Sequence, residues 1–199
     1  MSSLRFYHGT MGAAKSASLL IQRHNYTEKN IGNILITPHR DNRFGIGKVK
    51  SRVGIEAEAD IVIKEEESLL NKVEKIVQDN ELLMKRKIKI IFVEEVQFFT
   101  SAQIDQLAYI VDNLNISVYC YGLKDDFQTH LFPGSKRLIE LADSLYEIEN
   151  LCHCGEKATC NMRVNNGKKV EEGEQVEIDN NNNINYVSVC RKCWTLGKF

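Results

Sequence analysis

The chain has 199 residues, 43% of them hydrophobic and 27% charged, which suits one sizeable core plus a small appended module and excludes a disordered chain. Its 26 basic and 27 acidic side chains leave a formal net charge of −1, so there is no broad basic face for long nucleic acid, although a small anionic ligand is compatible. The stretch MSSLRFYHG lacks the apolar core of a secretory signal, and no apolar run nears the roughly 18 residues that span a bilayer, so a cytoplasmic protein with no membrane partner is expected.

Residues 3–148 alternate short apolar runs rich in β-branched residues with longer segments of helical period, the pattern of an α/β fold with helices covering a parallel sheet. The first strand, Leu4–Tyr7, runs into a glycine-bearing turn and then a helix. Gly9, Thr10, Met11, Gly12, Ala13, Ala14, Lys15 and Ser16 nearly fit G-x-x-x-x-G-K-[ST], the phosphate loop. In such a loop successive N–H groups surround a β-phosphate, Lys15 reaches the β- and γ-phosphates, and Ser16 binds Mg²⁺. Ala14 stands where the second glycine belongs, a mild change if its φ is negative and a severe one if φ is positive. Taken alone, the match also fits an ordinary glycine turn.

The next strand is Asn33–Thr37, and Leu69, Leu70, Val73, Ile76 and Val77 mark one face of a helix. The run KIKIIFVEE then places a buried strand, Ile88–Val93, directly before two carboxylates, Glu94 and Glu95. Open α/β sheets bind ligands beyond the carboxyl ends of their strands. One carboxylate there can hold Mg²⁺ through water and the other can accept the proton of an attacking hydroxyl, the alternative being two solvated glutamates. Thr100-Ser101 can cap a helix carrying Ile104, Leu107, Ala108 and Val111, and Ile116–Tyr121 and Ser144–Ile148 complete the strands.

After Ile148 the composition changes to cysteine pairs, glycines and the polar tract DNNNNINY, which sets a boundary near Glu149. Four of the six cysteines form two close pairs, Cys152 with Cys154 and Cys190 with Cys193. Four thiolates converging from two turns make a closed tetrahedral Zn²⁺ site, structural because no position is left open. Disulfides are the alternative, disfavoured in a reducing compartment and by the strained C-x-C ring. His153 reads as an exposed neighbour, and Cys120 and Cys160 as buried thiols.

The order of the lysine-serine loop, EEVQFF, YGLKDDFQTHLF and a cysteine module ending YVSVCRKC resembles the type II thymidine kinases, especially their bacterial members. GKVKSRVGI after RDNRF and EGEQVEI before the last cysteine pair extend the resemblance over nearly the whole chain. It implies a P-loop, RecA-like ATP-binding domain over 1–148, followed over 149–199 by a small zinc-ribbon-like domain whose loop closes over the nucleoside. The implied reaction moves the γ-phosphate of ATP to the 5′-hydroxyl of thymidine or deoxyuridine, with Mg²⁺ and a structural Zn²⁺. Glu95 matches the catalytic base, Glu94 the metal-associated acid (usually Asp), and Gln97 a glutamine near the nucleotide. Arg43 resembles a phosphate-contacting arginine, and Asp41 either assists at the metal or belongs to a solvated turn. Met11, Phe98, Leu123, Phe127 and Phe132 match walls of the thymine pocket, and Tyr186 a tyrosine of the closing loop. The resemblance also implies a homotetramer and feedback inhibition by dTTP. A nucleotide-dependent switch, and a degenerate kinase kept as a binding protein, are the competing readings.

Overall fold

The computed structural model describes residues 2–41, 43–80, 82, 87–176 and 184–199. In chain order, β1 (Leu4–His8), α1 (Lys15–Glu28), β2 (Gly32–Pro38), a hairpin of β3 (Lys48–Lys50) and β4 (Glu56–Glu58), β5 (Ile61–Ile63), α2 (Leu69–Asp79), β6 (Ile88–Val93), α3 (Ser101–Leu114), β7 (Ser117–Gly122), α4 (Pro133–Leu141) and β8 (Ser144–Glu147) come first. Strands β5-β2-β6-β7-β1-β8, in that spatial order, form one six-stranded sheet with every pairing parallel. The five strands expected from sequence are all present, shifted by a residue at some ends. β5 was not anticipated, because three residues are too few to show a period.

Alternation in the central strands supplies two cores. Ile34, Ile36, Ile91, Val93, Val118 and Cys120 join the cluster packed with α2, α3 and α4. Their neighbours Leu35, Ile90, Phe92, Tyr119 and Tyr121 point to the opposite face, against Leu19 and Leu20 of α1. Each fully buried Ile, Leu or Phe contributes about 1.5–3 kcal/mol relative to exposure, so this double burial drives the sheet's assembly. The helices start where their caps dictate. Thr100 and Gln103 form a reciprocal capping box at α3 (Gln103 N to Thr100 Oγ1 3.2 Å, Thr100 N to Gln103 Oε1 3.1 Å). The Ser68 hydroxyl accepts from Asn71 N at 3.3 Å to begin α2.

The C-terminal region is a three-stranded antiparallel sheet in the order β10-β9-β11, from β9 (Cys160–Asn165), β10 (Lys168–Lys169) and β11 (Ile184–Val189), followed by α5 (Arg191–Leu196). Asn166 and Gly167, both at positive φ (48° and 73°), make the two-residue turn of the β9–β10 hairpin. A separate apolar cluster of Met162, Val164 and Val189 with the cysteines fills this layer. Trp194 ties it to the loop between β7 and α4 by donating its indole N–H to the Phe127 carbonyl at 2.9 Å, while the Lys169 ammonium lies 3.8 Å above its ring. Among the described residues, no helix is long and apolar enough to cross a membrane.

Candidate active site

Because the strands of the main sheet run parallel, the turns after β1, β2, β6 and β7 collect at one edge, the edge where open α/β sheets bind ligands. The loop after β1 holds Gly9 so close to the end of β8 that a Cβ there would lie 2.5 Å from the Ile148 carbonyl oxygen. Gly12 is at φ 78°, and Ala14 is also left-handed, at φ 58° and ψ 27°. The substitution of alanine for glycine therefore meets its unfavourable case: the loop keeps the bend although a Cβ resists it. Helix α1 starts at Lys15 with no side-chain cap and no acid in its first turn, so its N–H groups and the positive end of its dipole stay available to an anion. Lys15 Nζ donates to Thr10 O at 2.8 Å across the mouth of the loop. Burial lowers its pKa against the pull of Glu95 and Glu94.

The two carboxylates after β6 sit in different environments. Glu94 is buried; one oxygen accepts from the Ser16 hydroxyl and Oε2 has no hydrogen-bond partner among the described residues. Burial, then the adjacent Glu95 charge, pushes its pKa up from 4.5 to about 8. Glu95 sits at φ 47° and accepts from Arg43 and from the Gln97 amide. Burial works to raise its pKa, but the Arg43 and Lys15 charges and the Gln97 bond outweigh it and lower the pKa overall. Asp41 holds Arg43 by a fork, Nε to Oδ1 at 2.7 Å and Nη2 to Oδ2 at 3.0 Å. Both Asp41 oxygens are thus engaged by the arginine. Gln97 is fixed in turn by accepting from Leu123 N at 2.9 Å, and Gly122 leaves it room, since a Cβ there would lie 2.4 Å from Gln97 Oε1.

These groups open into a cleft of about 440 Å³ lined by Ala14, Lys15, Ser16, Arg43, Glu95 and Gln97. The same cleft is also lined by Met11, Phe98, Leu123, Phe127, Phe132 and Tyr186, the six residues the resemblance assigns to the nucleoside. Phe98 and Phe132 meet edge to face with centroids 6.2 Å apart, fixing each other as apolar walls of the kind that suit a planar base. Gly9, Thr10, Ala13 and Glu94 lie behind the lining and shape it. Of the tract DNNNNINY (residues 179–186), expected in the loop that closes over the nucleoside, residues 179–183 are outside the described residues.

Several residues of the site escaped the sequence reading. Arg52, at the turn after β3, lines the cleft; a Cβ on Gly12 would lie 3.4 Å from its Nη1. Asn161 accepts from Met11 N at 2.8 Å and donates to Asp125 O at 3.1 Å. Met11 O accepts from Asn150 Nδ2 at 3.0 Å and from the Ser188 hydroxyl. Arg163, fully buried, places its guanidinium 3.8 Å over Phe127 and donates to the Tyr186 hydroxyl at 2.8 Å, bracing two walls together. No spacing in the chain advertises any of these, because each acts across long sequence separations.

The sulfur atoms of Cys152, Cys154, Cys190 and Cys193 all lie within 4.8 Å of one another, with Cys154 and Cys190 3.8 Å apart. Four thiolates about 2.3 Å from a tetrahedral Zn²⁺ would be about 3.8 Å from each other, so the donor set suits zinc. All six cysteines are free thiols. Cys120 and Cys160 are buried and His153 is exposed, as the sequence suggested.

A parallel α/β sheet with a lysine-serine loop after one strand and paired carboxylates after another defines a P-loop nucleotide-binding protein of the phosphotransferase class. Comparison with known proteins narrows this further. The chain belongs to the thymidine kinase family, whose model, described as thymidine kinase, matches residues 2–194. It is 42% identical over 192 residues to the thymidine kinase of Haemophilus influenzae, covering 96% of this chain and 95% of that one. Identity is 43% over 193 residues to that of Shewanella oneidensis (96% of each chain) and 42% over 206 residues to that of Vibrio vulnificus (100% of each).

Proposed function

We propose that this family member is a thymidine kinase that transfers the γ-phosphate of ATP to the 5′-hydroxyl of thymidine or deoxyuridine, giving the nucleoside 5′-monophosphate and ADP for DNA synthesis by nucleotide salvage. The observation that carries the reading is the split carboxylate pair beside the lysine-serine loop, one acid buried with an oxygen that has no partner among the described residues and the other at the cleft with its pKa held down by Arg43 and Lys15. Residues 1–148 would bind ATP through Gly9–Ser16, and residues 149–199 would cover the nucleoside.

Ser16 and Glu94 are the residues to hold Mg²⁺, since Glu94 Oε2 is buried without a donor among the described residues and a divalent cation would both pair it and displace its proton. Mg²⁺ there would neutralise and orient the β- and γ-phosphates. With Asp41 engaged by Arg43, its role is to aim that arginine rather than to reach the metal. Lys15 leaves Thr10 O for the phosphates, and Arg43 shifts from Glu95 toward the transferring group. Releasing Glu95 lets burial dominate, so its carboxylate becomes basic enough to take the 5′-hydroxyl proton as that oxygen bonds to phosphorus. Positioning and charge stabilisation supply most of the rate.

The cysteine set would hold a structural Zn²⁺, and the protein would act as a cytoplasmic homotetramer inhibited by dTTP, as the sequence resemblance to type II thymidine kinases implies. Failure of dTTP to compete with thymidine would refute that inhibition. Ala14 keeps the left-handed bend of the glycine it replaces, which argues for a working loop rather than a lapsed one. The direct test is thymidine phosphorylation by the full chain and by Glu95→Gln. We expect thymidylate from the first and a loss of kcat of about 10²-fold or more in the second with thymidine binding kept; near-normal kcat in the variant removes Glu95 as the base.

A further inference from the structure

Both cysteine pairs are preceded, two positions earlier, by a side chain that reaches the phosphate loop. Before Cys152 stands Asn150, whose Nδ2 donates to Met11 O at 3.0 Å and to Thr10 Oγ1 at 3.3 Å. Ser188 precedes Cys190, and its hydroxyl donates to the same Met11 carbonyl. Asn150 is itself rooted in the first cysteine turn. Its Oδ1 accepts from Leu151 N at 2.9 Å, and its carbonyl from Ala158 N at 2.8 Å, one layer out from the Cys152 N to Glu156 O bond of 2.8 Å. Across the loop, Gly12 lies against the Asn150 amide, 3.6 Å from where its Cβ would be.

We infer that Asn150 and Ser188 are positioning residues that clamp Thr10–Met11 of the phosphate loop to the two cysteine turns, so that the thiolate centre sets the shape of the ATP-binding loop as well as that of its own module. The inference rests on the proposed ATP-dependent reading of the site. Gly12 takes its left-handed bend freely, but Ala14 is strained at φ 58°, and an external anchor on Met11 O opposes relaxation of the loop. The clamp acts on the backbone behind the phosphate-facing N–H groups, whereas five of the six base-pocket walls come from other segments, the Met11 side chain being the exception. Its loss should therefore weaken nucleotide binding more than nucleoside binding.

The test uses full-length Asn150→Ala, Ser188→Ala and the double variant, with calorimetric titration of a non-hydrolysable ATP analogue, titration of thymidine, and zinc content per chain. Each single variant is expected to bind the analogue about three- to tenfold more weakly, the range for one lost hydrogen bond. The double variant should lose more than the product of the two, since either donor alone still anchors the shared carbonyl. Thymidine affinity, which depends on the clamp only through Met11, should fall by a smaller factor than analogue affinity, and zinc content should be unchanged. Unchanged analogue affinity in the double variant overturns the clamp. Equal weakening of both ligands, or loss of zinc in both single variants, overturns it too, because the residues would then serve the module rather than the loop. Analogue binding is read without catalysis, so failure of the clamp stays distinct from failure of the wild type to phosphorylate thymidine.

Discussion

Ala14→Gly isolates the energetic consequence of one methyl group in the phosphate loop. Ala14 is held at φ 58° and ψ 27°, where an L-residue's Cβ crowds the following carbonyl at a cost of about 1–2 kcal/mol. Glycine removes that cost but adds freedom to the unfolded chain worth about 0.5–1 kcal/mol in the opposite sense. The balance favours the variant by about 0.5–1 kcal/mol, and for a chain of this length a kilocalorie moves Tm by about 2–4 °C. A rise of about 1–4 °C in a calorimetric melt without ligands is therefore expected, with kcat for thymidine within about twofold of wild type because the loop already has its binding shape. An unchanged or lowered Tm would refute the assignment of strain to this residue. A tenfold gain in kcat would show instead that the alanine distorts the site.

Other perturbations read the charges and the metal. In Arg43→Ala, Glu95 loses the strongest charge holding its pKa down, so the acid limb of the kcat/KM profile should move to higher pH as the maximal rate falls; a limb that stays in place removes Arg43 as the partner. Glu94, raised from 4.5 to about 8 by burial, binds its proton more tightly in the folded state. It therefore contributes stability that is complete below about pH 4.5 and is lost as pH rises through about 8. Glu94→Gln should raise the metal-free Tm at pH 8, flatten that pH dependence and abolish any rise in Tm on adding Mg²⁺; a lower Tm at pH 8 argues against an orphaned carboxylate. Cys152→Ser should reduce zinc from about one per chain by mass spectrometry and lower Tm; full zinc retention would show that the cysteines do not hold it together.

Much of the sheet was legible because burial on both faces leaves a dense apolar signature, as in Ile88–Val93 with Glu94 and Glu95 marking its end. Asn166-Gly167 is a strong hairpin turn signal, yet the strands it joins, Cys160–Asn165 and Lys168–Lys169, are polar or too short to show an alternating pattern beside the cysteine pairs. Chemically distinctive residues, such as Lys15, Glu95 and the cysteines, announced themselves by type and spacing. Arg163, Asn150 and Gly122 did not, because their roles come from contacts made only in three dimensions: a guanidinium under Phe127, an amide on a distant carbonyl, the missing Cβ beside Gln97. The backbone angle at Ala14 was equally beyond the sequence, which fixes the residue but not its φ.

The bond from Trp194 to the Phe127 carbonyl gives the molecule an intrinsic optical reporter. The chain has one tryptophan, its indole hydrogen-bonded to the backbone of a residue whose ring walls the cleft and its ring covered by the Lys169 ammonium. Indole emission responds to nearby charge and to hydrogen bonding at the ring nitrogen. Any shift of Phe127 on filling the cleft, or of α5 on loss of the thiolate centre, therefore registers in a single fluorescence signal without a label or a mutation.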